Sequence, residues 1–237
     1  MSPVLRTGGV VVGIGVSAEN FISKASSSGI QVSREALAQL AIYERELISW
    51  NRRMNLIAKG DETNIWSRHF LDSLIGWSSA LSLIPNPFPL NPAVLDIGTG
   101  AGFPGLPIKI VWPEVKLTLV ESVRKKTLFL KHLLEVLKLN DVNVICARAE
   151  SLAKDAKHRN RYDFALSRAV GSIEELVKLS FPLLKGSGKL TAWRGEGAPL
   201  SAESRVISCE SRSYVLPGEP HDRKIVILSK EDSSHGS

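Results

Sequence analysis

The strongest constraint on the fold is a glycine-rich stretch near the middle of the chain, Val94–Gly105, which reads VLDIGTGAGFPG. Its pattern predicts a short buried strand over Ala93–Ile97, then a glycine turn, then an apolar helix over about Pro104–Trp112. Doubly wound α/β sheets build nucleotide sites in this way, because glycines let a ligand approach the backbone and a helix N-terminus offers unpaired N–H groups. The stretch therefore predicts an α/β fold that binds a ligand at this turn.

Strands and helices alternate through most of the chain that follows the turn. Further strands are predicted over Val115–Glu121, Val142–Ala147, Phe164–Ser167 and Lys189–Trp193. Helices are predicted over about Arg124–Leu139 and Ile173–Leu184, and two β-like runs follow over Ser213–Leu216 and Lys224–Ser229. Because alternation favours parallel pairing and consecutive strands favour antiparallel pairing, we expect a mostly parallel sheet with an antiparallel edge.

The segment before the sheet is predicted to be helical. Ser33 suits the N-cap of an amphipathic helix that runs to about Asn51, and a second helical stretch covers about 63–83. Prolines at positions 85, 87, 89 and 92 then exclude a helix or a central strand and mark a boundary. These features predict an ill-ordered Gly/Ser-rich extension, a helical cap, an α/β domain and a frayed tail, over residues 1–28, 29–84, 93–230 and 231–237.

Charge and cysteine content limit the classes of partner. A net charge of +6 suits an anionic partner such as RNA, although it carries weight only together with other features. The cysteines, Cys146 and Cys209, lack CxxC spacing, so we expect no metal site and no disulfide framework. Cys146 lies inside a predicted strand, which favours a place in the core. The absence of a disulfide framework favours a reducing cytoplasm. No apolar run reaches the length of a membrane span, so we expect no membrane partner.

The glycine turn matches two cofactor classes by spelling. Gly100–Gly105 fits GxGxxG, and Glu121 follows Gly100 by 21 residues, as in an NAD site. Asp96 distinguishes the two classes, because a pyrophosphate about 4 Å from its carboxylate would be repelled by roughly 1–4 kcal/mol. S-adenosylmethionine carries an ammonium and a sulfonium instead, so Asp96 favours it, and Glu121 then suits its ribose hydroxyls. The alternatives are that Asp96 caps the following turn and that Glu121 is a solvated strand end.

Four motifs in order resemble one family closely. They are Asn55-Leu56, the run Arg68-His69-Phe70-Leu71-Asp72-Ser73, the block Asp96–Gly105, and Ser167-Arg168-Ala169. Together they resemble the bacterial small-subunit ribosomal RNA methyltransferase G family, also called glucose-inhibited division protein B, over about Leu37–Leu228. Many methyltransferases share the glycine block, whereas the Arg68–Ser73 run is far more specific.

The resemblance implies a Rossmann-like class I methyltransferase sheet over 93–230 and methyl transfer from S-adenosylmethionine to N7 of a guanine in 16S ribosomal RNA. Carried over by position, it implies that the cofactor is held by Gly98, Phe103, Glu121, the pair Ala149-Glu150, and Arg168. Asp96 and Gly100 join this set from the turn itself. Ala149-Glu150 fits an adenine edge, although an ordinary strand-to-helix turn fits the pair equally well.

Arg168 is the candidate catalytic residue, because it follows the fourth strand beside the expected cofactor crevice. It suits the cofactor carboxylate, the guanine or a phosphate, and the alternative is a surface salt bridge. The predicted RNA contacts are Asn55, His69, Lys125 and Arg194. For His69 a buried, hydrogen-bonded role is equally open, and Arg194-Gly195 stands where the family usually has Lys-Gly.

The expected chemistry needs little acid–base catalysis. Guanine N7 has an exposed lone pair and attacks a sulfonium methyl group directly in line, so the protein has mainly to align the reactants. Three other functions remain open: a methyltransferase of a small molecule or protein, an NAD-dependent oxidoreductase, and an RNA-binding module without catalysis. The partner expected from the resemblance is 16S ribosomal RNA or the small ribosomal subunit.

Overall fold

The computed structural model describes residues 4–7, 10–13, 16–84, 89–168, 171–195, 207–219 and 221–230. The described residues do not include Pro85, Pro87, Ala169 or the predicted frayed tail, 231–237. Nine strands are present in this part of the chain: β1 Val4–Thr7, β2 Val10–Gly13, β3 Ala93–Ile97, β4 Lys116–Glu121, β5 Val142–Cys146, β6 Tyr162–Arg168, β7 Leu184–Gly195, β8 Ile207–Val215 and β9 Asp222–Lys230.

Seven of these strands form the central sheet, in the order β5-β4-β3-β6-β7-β9-β8. The pairs among β5, β4, β3, β6 and β7 are parallel, whereas β9 pairs antiparallel with both β7 and β8. The expected mostly parallel sheet with an antiparallel edge is therefore confirmed. Because β3, β4 and β6 are parallel neighbours, their carboxyl ends meet at one edge, where ligands bind in such folds.

Helices flank the sheet and connect its strands. The α-helices are α1 Val16–Ser27, α2 Arg34–Asn51, α3 Asp72–Leu81, α4 Gly105–Val111, α5 Arg124–Leu137, α6 Ala149–Lys154 and α7 Ile173–Ser180. Side-chain caps account for two of the starts. Ser33 accepts a hydrogen bond from Ala36 N ahead of α2, and Ser172 forms a capping box with Glu175 ahead of α7.

The helical stretch predicted over 63–83 is a succession of three helix types. A 3₁₀ helix, Lys59–Asn64, and a π-helix, Ile65–Leu71, precede α3. A π-turn places one extra residue in the helix and changes which side chains face inward, and such turns are frequent at functional sites. This π-helix contains Arg68 and His69, which belong to the most specific motif of the sequence.

Part of the extension that was predicted to be ill-ordered up to residue 28 is helical in the structure. Residues 16–27 form α1, and Phe21 in this helix is buried against Trp66 of the π-helix, with ring centroids 5.1 Å apart. Burial of this aromatic face stabilises the helix, a tertiary effect that Gly/Ser content does not reveal. The division into a cap over 29–84 and a domain over 93–230 stays a prediction. One hydrophobic cluster includes Leu40 from the first segment and Leu106 from the second.

The prediction of a core position for Cys146 is wrong. Cys146 ends β5 and is exposed. β5 is an edge strand of the sheet, so fewer neighbours cover its end. Leu128, an apolar residue of α5, is also exposed, at 53%.

Candidate functional site

The glycine turn after β3 has a backbone that only glycine adopts readily. Gly98, Gly100 and Gly102 have φ values of 68°, 61° and 105°. A Cβ atom on Gly102 would lie 2.5 Å from Leu106 Cδ1 and 2.7 Å from the Tyr43 hydroxyl. The turn is also tied to β4, since Gly98 N donates to the carbonyl oxygen of Val120 at 2.9 Å. The glycine block therefore forms a tight turn at the carboxyl edge of the sheet.

Asp96 combines a capping role with an unused oxygen. Its Oδ2 accepts hydrogen bonds from Thr99 Oγ1 at 2.7 Å and from Gly105 N, the first residue of α4, at 2.9 Å. Its Oδ1 is buried and has no hydrogen-bond partner within the described residues. Burial raises the pKa of this carboxyl to about 6, although both hydrogen bonds act against the rise. The capping alternative is thus present in the structure, and Oδ1 remains for a further donor.

Glu121 holds the two loops that border a cleft. Its Oε2 accepts from Gly100 N at 3.0 Å, and its Oε1 accepts from Val123 N at 2.8 Å. The side chain is 6% exposed, so the alternative of a solvated strand end does not describe it. The cleft beside it is also lined by Gly98, Ala149 and Glu150. Four predicted cofactor residues thus line one cleft.

Arg168, at the end of β6, forms a second cluster next to the turn. Its Nη2 donates to His69 Nδ1 at 3.0 Å, and its Nη1 donates to Asp72 Oδ2 at 3.2 Å. Its Cζ lies 5.0 Å from the centroid of the Phe103 ring, in a cation–π contact. The predicted alternative, a salt bridge, is therefore present, but it is buried rather than on the surface, since the two side chains are 17% and 3% exposed.

His69 is held in one protonation state by this cluster. An arginine can only donate, so Nδ1 accepts and the imidazole proton is on Nε2. The ring stacks on Phe103 with centroids 4.7 Å apart and planes 18° apart. Burial, and next the Arg168 charge, lower the pKa of His69 to about 4, so the ring is neutral at pH 7. Its Nε2 is buried and has no hydrogen-bond partner in the described part of the chain.

Phe103 is the centre of an aromatic stack that joins the helical segment to the turn. Tyr43 of α2 stacks on its ring at 5.4 Å between centroids, with planes 8° apart. The Tyr43 hydroxyl donates to the carbonyl oxygen of Ala101 at 2.6 Å. Burial raises the pKa of Tyr43, so its phenol keeps the proton that it donates. The helical segment thus supports the glycine turn directly.

Comparison with known proteins bears on this arrangement. Residues 36–217 match the family model of rRNA small subunit methyltransferase G. Ribosomal RNA small subunit methyltransferase G from Roseiflexus sp. (strain RS-1) is 42% identical over 219 residues, which are 88% of this chain and 89% of that protein. The protein of the same name from Halalkalibacterium halodurans is 35% identical over 222 residues, covering 90% of this chain and 91% of its own length.

This chain belongs to the ribosomal RNA small subunit methyltransferase G family. The match confirms the resemblance found in the motifs, and with it an enzyme whose methyl donor is S-adenosylmethionine. Solved structures agree on the fold. MtNAS in complex with MTA and tNA has a TM-score of 0.55 at 14% identity, covering 89% of this chain and 86% of its own. TrmN from Thermus thermophilus has a TM-score of 0.51 at 18% identity, covering 70% and 53%.

The predicted RNA contacts of this family member lie in different surroundings. His69 joins the Arg168 cluster, and Arg194, at the end of β7, donates from Nη1 to the carbonyl oxygen of Gly171 at 2.9 Å. Lys125 is exposed in the first turn of α5, just after the β4 end. Asn55 is exposed in the loop after α2. The roles of all four residues stay predictions.

Sequence reasoning missed several residues of this family site. Asn51 shapes the loop that carries Asn55, because its Oδ1 accepts from the backbone N–H groups of Leu56 and Ile57. Arg148 lines the cleft beside Ala149. Asp72 stood in the quoted motif without a role, although a carboxylate among the apolar residues of a helix is a signal of a buried polar contact. In the described residues no cluster of metal-ligating side chains is present, and no helix is long and apolar enough to cross a bilayer.

Proposed function

We propose that this chain transfers the methyl group of S-adenosylmethionine to N7 of a guanine in 16S ribosomal RNA. Membership of the rRNA small subunit methyltransferase G family supplies the reaction class and the ribosomal substrate. The observation that carries the proposal is the adjacency of two groups of residues at one sheet edge: the cleft between Glu121 and Ala149, and the Arg168 cluster across the glycine turn. A substrate of this kind is consistent with activity in the cytoplasm.

The residues of the turn and cleft fit this cofactor. Gly98 and Gly100 have positive φ and carry no Cβ, so a ligand can reach their backbone. Asp96 Oδ1 is a buried acceptor without a partner among described residues, and a cationic ammonium group, directly or through water, would satisfy it. A ligand with pyrophosphate at this point would meet the same carboxylate unfavourably.

In this proposal the residues that line the cleft contact different parts of the cofactor. Glu121 accepts from the ribose hydroxyls with the lone pairs that Gly100 N and Val123 N leave unused. Backbone groups of Ala149 and Glu150, at the start of α6, contact the adenine edge. Phe103 covers the turn, and both Tyr43 and His69 stack on its ring. When bound, the cofactor supplies an electrophilic methyl group on a sulfonium.

The protein's remaining task is to hold the guanine so that N7 attacks in line with the breaking bond. N7 needs no deprotonation, and the neutral His69 and the hydrogen-bonded Arg168 supply no general base, which is consistent with catalysis by alignment. The Arg168 bonds to His69, Asp72 and the Arg68 carbonyl use three of the five guanidinium N–H groups. The others are suited to a guanine carbonyl oxygen or a phosphate. Arg194, Lys125, Asn55 and His69 are the further RNA contacts that we propose.

Nucleoside mass spectrometry of 16S ribosomal RNA tests the proposal. RNA from cells that lack the gene is expected to lose one 7-methylguanosine per molecule, and the intact gene is expected to restore it. A gene with Arg168→Ala is the matched control. It tests whether 7-methylguanosine is restored by the site itself or by the mere presence of the protein. Equal 7-methylguanosine with and without the gene would overturn the assignment. Methyl transfer to protein or to a small molecule by the purified chain would then support the second class of methyltransferase.

A further inference from the structure

Asp72 is a junction between the helical segment and the far edge of the sheet. It is the first residue of α3 and is 2% exposed. Its Oδ2 accepts from Arg168 Nη1 at 3.2 Å, and its Oδ1 accepts from the Tyr214 hydroxyl of β8 at 2.7 Å. Arg223 of β9 lies with Nη1 3.3 Å from the same Oδ1. One buried carboxylate therefore joins side chains from β6, β8 and β9.

The charges in this junction explain why a carboxylate is tolerated at this depth. An unpaired buried carboxylate is strongly unfavourable, but here two guanidinium groups and a phenol surround it. Burial, and next the Asp72 charge, raise the pKa of Tyr214, so the phenol keeps its proton and acts as a donor. Arg223 is held in turn by Glu219, at 2.8 Å from Nη2. Both oxygens of Asp72 are thus satisfied from defined directions.

We propose that Asp72 is a positioning residue for methyl transfer, which fixes the Arg168 guanidinium over Phe103 and is itself fixed by Tyr214 and Arg223. The inference rests on the proposed role of Arg168 in holding the guanine. An arginine side chain has many rotamers, and two bonds from different directions, to His69 and Asp72, restrict it to one orientation. The antiparallel edge of the sheet thereby contributes to the site although it lies outside the cofactor cleft.

The carboxylate has a function separate from the backbone of the same residue. The carbonyl oxygen of Asp72 accepts from Trp193 Nε1 at 3.2 Å, and the Trp193 ring packs against Gly76. These contacts hold α3 on the sheet and do not involve the carboxylate. Asp72→Asn keeps the size of the side chain and those backbone contacts. It removes the charge that attracts Arg168, and its amide nitrogen cannot accept from the donor that it faces, either Arg168 or Tyr214.

A double-mutant cycle tests whether Asp72 acts through Arg168. The four proteins are the full-length wild type, Asp72→Asn, Arg168→Ala and the double variant, assayed with S-adenosylmethionine and small subunits from cells that lack the gene. Asp72→Asn is expected to lower kcat about 10- to 100-fold, as a misplacement of about 1 Å does, while cofactor affinity changes less than about threefold. In the Arg168→Ala background the same substitution is expected to change kcat less than about twofold.

If the fold-losses in kcat of the two single variants multiply in the double variant, Asp72 acts independently of Arg168. This result would overturn the inference, while Arg168 would remain a functional residue. An unchanged kcat in Arg168→Ala would instead overturn the proposed role of Arg168, and with it this inference. If Asp72→Asn does not fold, Tyr214→Phe decides, because it keeps the carboxylate and removes one bond that fixes it. Tyr214→Phe is expected to lower kcat less than Asp72→Asn does. In the Arg168→Ala background it is expected to have no effect on kcat. Asp163→Asn is the matched control, since it breaks the 2.8 Å ion pair with Lys185 beside the amino end of β6 and is expected to leave kcat unchanged.

A measurement on the protein without cofactor distinguishes a positioning role of Asp72 from a contribution to stability alone. The Arg168 charge lowers the pKa of His69, so a displaced guanidinium raises it. Asp72→Asn is expected to raise the His69 pKa toward its value in Arg168→Ala, as followed by ¹⁵N NMR of the imidazole. Simple loss of the Asp72 charge acts in the opposite direction, because it removes a negative group. An unchanged or lower His69 pKa in Asp72→Asn would therefore overturn the inference.

Discussion

Gly100 N donates a 3.0 Å hydrogen bond to Glu121 Oε2, which joins the turn after β3 to the end of β4. The other carboxylate oxygen accepts from Val123 N, at the start of the loop into α5. One side chain thus sets the spacing between two backbone segments that border the cleft. The acidic residue expected to contact a ribose is therefore also part of the frame that shapes the turn.

Replacement of this acid by its amide is expected to damage both roles. In Glu121→Gln the amide nitrogen cannot accept from an N–H group, so either Gly100 N or Val123 N loses its acceptor. Unfolding free energy is expected to fall by about 1–3 kcal/mol. Affinity for S-adenosylmethionine, measured by titration calorimetry, is expected to fall at least about tenfold, equivalent to about 1.4 kcal/mol.

Glu135→Gln is the matched control for this prediction, because Glu135 is exposed on α5. It should preserve both the melting temperature and the affinity. If Glu121→Gln lowers the melting temperature but binds the cofactor as tightly as the wild type, Glu121 supports the turn without contacting the ligand.

Asp96 makes a prediction about pH. Its pKa is raised to about 6 by burial, so the carboxyl is mostly charged at pH 7.5 and mostly protonated at pH 5. If this charge attracts the cofactor ammonium, affinity for S-adenosylmethionine falls as pH decreases through about 6. We expect a loss of about tenfold between pH 7.5 and 5 in calorimetry at constant ionic strength.

Asp96→Asn separates the charge from the cap. The variant can still accept from Gly105 N and Thr99 Oγ1 through its amide oxygen, but it has no charge to lose. It is expected to bind the cofactor weakly at pH 7.5 and with no further loss down to pH 5. Wild-type affinity at both pH values in the variant would show that the Asp96 carboxylate only caps α4.

Local patterns in the sequence were sufficient to predict the sheet and the glycine turn. The strand over Ala93–Ile97 has the predicted bounds, and Ser33 is the predicted N-cap. These features depend on residues that are near each other in the chain. Glu121 was also expected near the turn, because in parallel α/β sheets successive strand ends are adjacent and the separation of 21 residues is typical. Its hydrogen bond to Gly100 N was not predicted.

The Asp72 junction could not be predicted in the same way. Its partners Arg168 and Tyr214 are 96 and 142 residues away in the chain, and they meet it only because β6, β8 and α3 pack together. No local periodicity encodes such a meeting. The same reason applies to α1, whose packing against Trp66 was invisible in a Gly/Ser-rich segment, and to Cys146, whose exposure depends on the position of β5 at the sheet edge.

Gly102 is expected to tolerate no side chain. Its φ of +105° is unfavourable for alanine, and a Cβ would lie 2.5 Å from Leu106 Cδ1 and 2.7 Å from the Tyr43 hydroxyl. Gly102→Ala is expected to reduce the free energy of unfolding by about 2–4 kcal/mol and the melting temperature by about 5–10 °C. Gly60→Ala is the control, because nothing lies within 4 Å of its added Cβ. Equal melting temperatures of the two variants would contradict the close packing of Leu106 and Tyr43 against the turn.

His69 is expected to remain neutral in mildly acidic solution. Burial and the Arg168 charge lower its pKa to about 4, from the value near 6.5 of an unfolded chain. A lowered pKa stabilises the fold above pH 6.5, and this contribution, roughly 3 kcal/mol at most, is lost as pH falls from 6.5 to about 4.

In ¹⁵N NMR the His69 ring is expected to show a proton on Nε2 and none on Nδ1 at pH 5.5. Arg168→Ala should raise the pKa of His69, whereas Arg212→Ala, which removes an exposed arginine bonded to Ser82, should not change it. A doubly protonated His69 at pH 5.5 would show that Arg168 does not donate to Nδ1 in solution.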